Sequence, residues 1–293
     1  MKHFAVFINP MFGDKDSIFE LLLRLLEQEK SRNAGSELLF YGDLAQAEML
    51  RHPVIPIDFS AEKCSAEIDC ILVFGGDGTI LRAKDLALKT GAPILGINLG
   101  YLGFLSESTL PEISRSIRDL IEGRYSLLGR MLIECTLKRK GQPPITLEAL
   151  NDAVVYKGSN PGLINARIFA NKRYVFDMRC DGVIVCTPTG STAYSLAAGG
   201  PILAPQMKAM VLTPLNPHLL TIRPLVFSAE EKLTLRIYKL TEQAWLQVDG
   251  ANICPIQEND EIAITASKRS VNFIKLNNRS FYRILRNKMH LGK

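Results

Sequence analysis

One run constrains this chain more than any other. From Ile68 to Phe74 every position but Asp69 is apolar or cysteine, and the run ends in Gly75-Gly76-Asp77-Gly78-Thr79. A continuous apolar run bounded by a glycine turn is the pattern of a strand covered on both faces, as in a parallel sheet flanked by helices. The neighbouring segments agree. Phe4–Ile8 reads as a strand, Ser17–Glu29 carries apolar residues at helical spacing, Thr79–Lys89 reads as a helix, Pro93–Ile97 as a strand and Pro111–Glu122 as a helix. Strands alternating with helices predict an α/β domain with a parallel sheet.

The pattern changes near Gly123–Gly129. Ten short β-rich runs follow: Leu132–Lys138, Thr146–Tyr156, Leu163–Phe169, Tyr174–Met178, Val183–Thr187, Leu219–Phe227, Lys232–Ile237, Ala244–Val248, Glu261–Thr265 and Val271–Leu276. Asn171-Lys172, Asp249-Gly250 and Glu258-Asn259-Asp260 separate them as turn signals. The expected organisation is an α/β domain over 1–125, a β-rich, sandwich-like domain over 126–265 with one helical piece after Thr192, and a basic end over 266–293 with a helix at Ser280–Met289.

Bulk properties narrow the function. A net charge of +5 is too mild for a nucleic-acid partner and suits an anionic small substrate. From Ala263 onward there is no acid, while Lys268, Arg269, Lys275, Arg279, Arg283, Arg286, Lys288 and Lys293 are basic. That end reads as a solvated tail or as a positive rim beside phosphate. Six cysteines without a CxxC, and no secretory or membrane-spanning run, fit reduced thiols in a cytoplasmic protein with no membrane partner. Four histidines at 3, 52, 218 and 290 lack zinc-site spacing.

Asp77 poses the chemical question. Gly75, Gly76 and Gly78 permit positive φ and close approach of the backbone to a ligand at the carboxyl end of a strand. The turn is not a GxxxxGK[ST] loop. It is not GxGxxG either, because Leu81 stands where the third glycine belongs. A carboxylate beside phosphates is repulsive unless a proton or a cation needs it. Asp77 therefore deprotonates an attacking hydroxyl, holds a phosphate-bridging divalent cation, or merely caps the following helix.

Two distant segments bear on this. Asp181–Ala198 (DGVIVCTPTGSTAYSLAA) runs from a strand into a loop dense in hydroxyls and free N–H groups, which suits a ribose and a base edge; Tyr194 offers a stacking face. Ser191 lacks the GxSxG setting of a hydrolase nucleophile. Asn151-Asp152 interrupts an apolar strand pattern, either as a bulge or as paired hydrogen-bonding groups for ribose hydroxyls.

GGDGT at 75–79, NLGYLGFL at 98–105, ND at 151–152, DGVIVCTPTGSTAYSLAAGGPI at 181–202 and HLLTIRPLVFS at 218–228 together resemble the NAD kinase family. GGDGT alone is shared with lipid kinases and phosphofructokinases; the TPTGSTAY segment is specific. The resemblance implies an α/β amino-terminal domain, a β-rich carboxy-terminal domain and a chain end returning to the first. It implies transfer of the terminal phosphate of ATP, or of polyphosphate, to the 2′-hydroxyl of the adenosine ribose of NAD, with Mg²⁺ on the donor and a homodimer or homotetramer in which a neighbouring subunit often completes the site. Asp77 matches the essential aspartate, and Gly75, Gly76, Gly78 and Thr79 the phosphate loop. Asn151 and Asp152 match the adenosine-holding pair, the second a glutamate in many relatives. Thr189, Thr192, Ala193, Tyr194 and Phe104 match the adenine pocket, and Asp181 the nicotinamide end. His218 and Arg82 are further candidates near the site. The competing expectations are a lipid kinase of the GGDGT superfamily and a non-catalytic dinucleotide sensor.

Overall fold

The structure is a computed structural model of the 293-residue chain. It describes all residues except 33–37, 62, 63, 65, 101, 102, 159–161, 277–279 and 291–293. Tyr101 and Leu102 of the NLGYLGFL segment, and Arg279 and Lys293 of the basic end, lie outside the described residues. The chain forms two compact units, Met1–Gly129 with Val271–Lys293, and Arg130–Ser270.

The first unit opens with β1 (His3–Ile8), α1 (Asp16–Arg32), β2 (Leu39–Asp43), β3 (Val54–Ile57), β4 (Cys70–Phe74), α2 (Asp77–Thr90), β5 (Ile94–Asn98), the two-residue β6 (Ser108–Thr109) and α3 (Ile113–Ile121). Its sheet is parallel in the order β5-β4-β1-β2-β3. Every residue of β4 and β5 is buried, as the apolar runs Cys70–Phe74 and Ile94–Ile97 demand. Ile18, Leu22 and Leu25 form the inward stripe of α1 against Phe4, Leu72 and Leu95. Successive strands run outward from β1 through β2 to β3, then return to its other side at β4. The turn after β4 therefore lies beside the point where the winding reverses, the usual ligand position in open α/β sheets.

The second unit is antiparallel. In chain order it holds most of β7 (Ser126–Lys138), β8 (Ile145–Ala149), β9 (Asp152–Lys157), β10 (Ile164–Ala170), β11 (Arg173–Cys180), β12 (Gly182–Cys186), α4 (Tyr194–Ala197), β13 (Ala209–Leu215), β14 (Leu225–Ser228), β15 (Leu233–Leu240), β16 (Ala244–Val248), β17 (Ala251–Ile256) and most of β18 (Glu261–Lys275). One layer has the order β14-β13-β12-β9-β16-β17; the other is built on β11-β10-β15-β18 with β7 and β8. The sandwich core lies between them, with Val155, Ile168, Val183, Val185, Leu235 and Ile264 among its members. The alternate residues of β12, Ile184 and Cys186, enter a second cluster with Val154, Leu203 and Val211. Two-sided burial explains why β12 reads as a continuous apolar run rather than an alternating one. The end of β18 returns to the first unit, where Phe273 pairs in parallel with Ile94, and α5 (Phe281–Met289) follows.

The fold class agrees with the expectation, but several elements differ from it. The strands β2, β3, β13 and β17 have no counterpart in the sequence reading. Of these, β3, β13 and β17 contain Pro56, Pro214 and Pro255, and β3 and β17 are edge strands, where proline is tolerated. The run Leu219–Phe227 is a strand only from Leu225, after Pro224, and Leu220 is 85% exposed. The two runs after Glu261 are one strand, its middle residues exposed and free of glycine or proline. Thr146–Tyr156 is two strands, for a reason that belongs to the site.

Candidate active site

The apolar β4 delivers Gly75–Thr79 to the end of the parallel sheet. Gly75 N–H donates to Ile97 O at 2.9 Å, which fastens the turn to β5. The helix begins two residues before the expected Thr79: Gly76 is the N-cap and Asp77 the first helical residue. None of the three glycines uses the positive φ that glycine permits. A Cβ on Gly75 would meet Thr79 Cβ at 2.7 Å, whereas one on Gly76 or Gly78 would meet nothing within 4 Å. Steric fit thus accounts for the first glycine only. At Gly76 and Gly78 the missing side chains leave main-chain N–H groups open at a helix start, where an anion is favoured.

Asp77 does not cap α2. Its Oδ2 accepts from Phe104 N–H at 2.8 Å and its Oδ1 from Leu105 N–H at 3.2 Å. The capping alternative therefore fails, and the carboxylate is held in the loop that follows β5. The Phe104 ring lies 6.2 Å from that of Phe281, and Lys288 Nζ is 5.0 Å from its centroid. So part of the basic end packs within the first unit, on the aromatic whose main-chain N–H bonds to Asp77. Arg82 is exposed on α2.

In the second unit, Asn151 and Asp152 stand where the strand pattern breaks. The N–H groups of Leu150, Asn151 and Asp152 donate to the carboxylate of Asp249, at 2.9, 2.7 and 3.3 Å. A carboxylate has taken the donors a strand ladder would use, and β8 and β9 part there. Asp249 and Gly250 have φ of 47° and 82°, the tight turn joining β16 to β17. Sequence reading marks this pair as a turn and misses its role in the site.

The threonine-rich loop is bolted to the same break. Thr187 N–H donates to Asn151 O at 2.8 Å and its hydroxyl to Leu150 O at 2.5 Å. Gly190 N–H donates to Thr187 Oγ1 at 3.1 Å. A Cβ on Gly190 would stand 2.6 Å from the carbonyl carbon of Asn151 and closer still to its oxygen, so the two backbones touch. Ser191 Oγ donates to Pro188 O at 2.7 Å and accepts from Leu203 N–H at 3.0 Å. Its hydroxyl is structural, in line with the absence of a nucleophile motif. Thr192 Oγ1 donates to Thr189 O at 3.2 Å, Ala193 is half-buried, and Tyr194 is 45% exposed.

Among the described residues, two buried oxygens in this cluster lack a partner: Asn151 Oδ1 and Thr189 Oγ1, the latter on a residue only 6% exposed. Such atoms are uncommon unless a ligand supplies the bond. Asp152 beside them is 5% exposed. Burial, and then the charge of Asp249, push its carboxyl up to about 7.

Asp181 sits elsewhere. Cys186 pairs with Asp152 and Gly182 with Tyr156 across β12 and β9, so Asp181 and Thr187 lie at opposite ends of β12. Six residues of extended chain separate them by about 20 Å. The structure therefore joins Asn151, Asp152, Thr189, Thr192, Ala193 and Tyr194, and leaves Asp181 apart. Lys157 Nζ lies 2.8 Å from Asp181 Oδ1, and Asn216 Nδ2 donates to Oδ2 at 2.9 Å. Burial alone would raise this carboxyl; the hydrogen bonds of Lys157 and Asn216, with the charges of Lys157 and His218, outweigh it and hold it below the usual range. His218 is exposed, its N–H bonded to Arg179 O.

Among the described residues no group of three or more His, Cys, Asp or Glu side chains could hold a metal ion. No helix among them is long and apolar enough to cross a membrane.

Comparison with known proteins fits this geometry. Residues 18–125 match the ATP-NAD kinase N-terminal domain and residues 150–276 the ATP-NAD kinase C-terminal domain. An NAD kinase of Acidobacterium capsulatum is 37% identical over 293 residues, covering 100% of both chains. One from Carboxydothermus hydrogenoformans is 43% identical over 236 residues, 80% of this chain and 83% of the relative. Among solved structures, yeast NADH kinase complexed with NADH superposes with a TM-score of 0.84 at 25% identity, covering 100% of this chain and 89% of that one. An NAD kinase from Archaeoglobus fulgidus in complex with ATP gives 0.71 at 26%, covering 98% of each. With both domains matched in order and a full-length relative above one-third identity, the chain belongs to the NAD kinase family.

Proposed function

We propose that this enzyme transfers the terminal phosphate of ATP to the 2′-hydroxyl of the adenosine ribose of NAD, with Asp77 engaging that hydroxyl. The observation that carries the reading is the pair of unsatisfied buried oxygens, Asn151 Oδ1 and Thr189 Oγ1, beside the buried Asp152. These groups call for a ligand rich in O–H and N–H donors, and a ribose with an adenine amine is such a ligand. Asn151 and Asp152 hold the sugar; Thr189, Thr192, Ala193 and Tyr194 hold the base, and Phe104 contributes an aromatic face to it. Gly75, Gly76, Gly78 and Thr79 present the donor phosphates with main-chain N–H groups at the start of α2. Asp77 accepts the hydroxyl's hydrogen bond and takes its proton as the O2′–P bond forms and the bond from phosphorus to ADP breaks. Phosphoryl transfer has a loose transition state, so positioning and charge neutralisation supply most of the catalysis. The divalent cation, Mg²⁺ or another, comes with the phosphates of ATP, as Mg²⁺ usually does in kinases.

Asp181, at the other end of β12 from Thr187, is assigned to the nicotinamide end of the dinucleotide. A homodimer or homotetramer, with a neighbouring subunit contributing to the site, belongs to the same reading. All six cysteines are free, which suits a reducing cytoplasm.

The test is to incubate purified protein with NAD, ATP and Mg²⁺ and to follow NADP by a coupled dehydrogenase. NADP formation is expected. No NADP but phosphorylated diacylglycerol would replace the reading with a lipid kinase. No product with either, but tight NAD binding, would replace it with a sensor.

A further inference from the structure

Asp77 is the first residue of α2, yet the contacts that fix its carboxylate come from 27 and 28 residues further along. A carboxylate has about four acceptor positions. Here one on each oxygen is occupied by a main-chain N–H, of Phe104 and of Leu105, leaving the remaining positions for a substrate. Gly103, just before them, is where a side chain would matter most. A Cβ there would stand 2.6 Å from Asp77 Cγ and 2.9 Å from Oδ2, with Oδ1 closer still. No positive φ demands glycine at this position; the space it leaves is taken by the carboxylate.

The turn cannot readily retreat. Gly103 N–H donates to Ser106 Oγ at 3.1 Å, and Ser106 is 2% exposed. Behind it, the position a Cβ would take on Gly96 lies 3.0 Å from Ser106 Cα and 3.1 Å from Leu105 O, so β5 backs directly onto the turn. Asp77, in contrast, meets Gly103 with the end of a rotatable side chain. A methyl at 103 displaces the carboxylate and spares the fold.

We propose that Gly103 and the two N–H groups after it form a seat for the Asp77 carboxylate, making Gly103 a positioning residue of the reaction. The proposal rests on the reading of Asp77 as the group that meets the hydroxyl. The seat is selective: both of its donors are N–H groups, so an asparagine at 77 would turn its own NH₂ toward one of them. Asp77→Asn thus removes the negative charge and one seat bond together, whereas Gly103→Ala keeps the charge and removes the seat.

The experiment compares kcat, KM and Kd for NAD, and Tm, in wild type, Gly103→Ala, Asp77→Ala and the double variant. Gly103→Ala should lower kcat about 10²-fold, the scale of a 1 Å misplacement of a catalytic group. Its Kd for NAD should stay within about twofold of wild type, and it should lower kcat no further in the Asp77→Ala background. Any loss of Tm caused by Gly103→Ala should disappear in that background, because the added methyl then meets no carboxylate. If Gly103→Ala fails to fold, the double variant should fold. The proposal is overturned by a Gly103→Ala enzyme with near wild-type kcat beside an inactive Asp77→Ala. It is equally overturned by a Tm loss, or a folding failure, that persists in the double variant. Turnover surviving in Asp77→Ala would instead overturn the role of Asp77, and the Tm comparison would still judge the seat.

Discussion

The two glycine-bearing loops of this molecule are built in opposite ways. The loop around Thr187–Thr192 is finished by the chain itself. Thr187 is bonded to both Leu150 and Asn151, Ser191 ties Pro188 to Leu203, and Gly190 lies against the Asn151 backbone with no room for a methyl. The turn around Asp77 is left open: Gly76 and Gly78 have nothing within 4 Å of an added Cβ. On the proposed function the first loop is a rigid receptor, with the unsatisfied Thr189 Oγ1 within it and Asn151 Oδ1 beside it, and the second is a platform for a phosphate chain. Nucleoside recognition needs directional bonds from a rigid site, whereas phosphate recognition needs clear main-chain donors.

Substitutions can break this contrast. The largest effect should be on the rigid loop. Gly190→Ala pushes backbone against backbone and should lower stability by about 3 kcal/mol or more, at the top of the range for overpacking; thermal unfolding measures it, and an unchanged Tm would mean the loop is not close-packed. Gly76→Ala should do the reverse. Its stability cost should stay under about 1 kcal/mol, the scale of a changed N-cap, while turnover falls about tenfold as the methyl crowds the phosphates. Equal losses of stability at both glycines would erase the distinction.

The third expectation depends on pH. The Asp152 carboxyl is pushed up to about 7 in the folded protein, against 3.8 for an ordinary aspartate. Between about pH 4 and 7 the folded state therefore keeps a proton that the unfolded state has lost. That stabilisation is complete below about pH 4 and is lost as pH rises through 7, with a slope of at most about 1.4 kcal/mol per pH unit. Asp152→Asn should flatten that part of the stability curve and gain Tm over wild type at pH 8. A wild-type minus variant difference independent of pH would show that Asp152 is not held protonated.

How much of this was legible in the sequence depends on whether the cause was local. The buried β4 and the glycine turn were, because apolar runs and glycines act where they stand. Asn151 and Asp152 stand out as polar residues in an apolar pattern, but the break between β8 and β9 does not, since Asp249 takes their N–H groups from nearly a hundred residues away. Asp249 itself looks like half of a tight turn, which it also is. The role of Gly103 is hidden in the same way, as its partner is Asp77 rather than its own φ. Prolines in β3, β13 and β17 mask true strands: β13 is buried between its neighbours, whereas β3 and β17 pair at sheet edges, where proline is tolerated.

The central claim is a division of labour: Asn151, Asp152 and the Thr187–Tyr194 loop hold NAD, and Asp77 acts on its hydroxyl. Paired measurements of NAD affinity and turnover in Asp77→Asn test it most directly. The account predicts a Kd for NAD close to wild type and a kcat lower by about 10²–10⁴-fold, the range for loss of a general base. Near wild-type turnover, or a Kd that weakens as far as kcat falls, would contradict it.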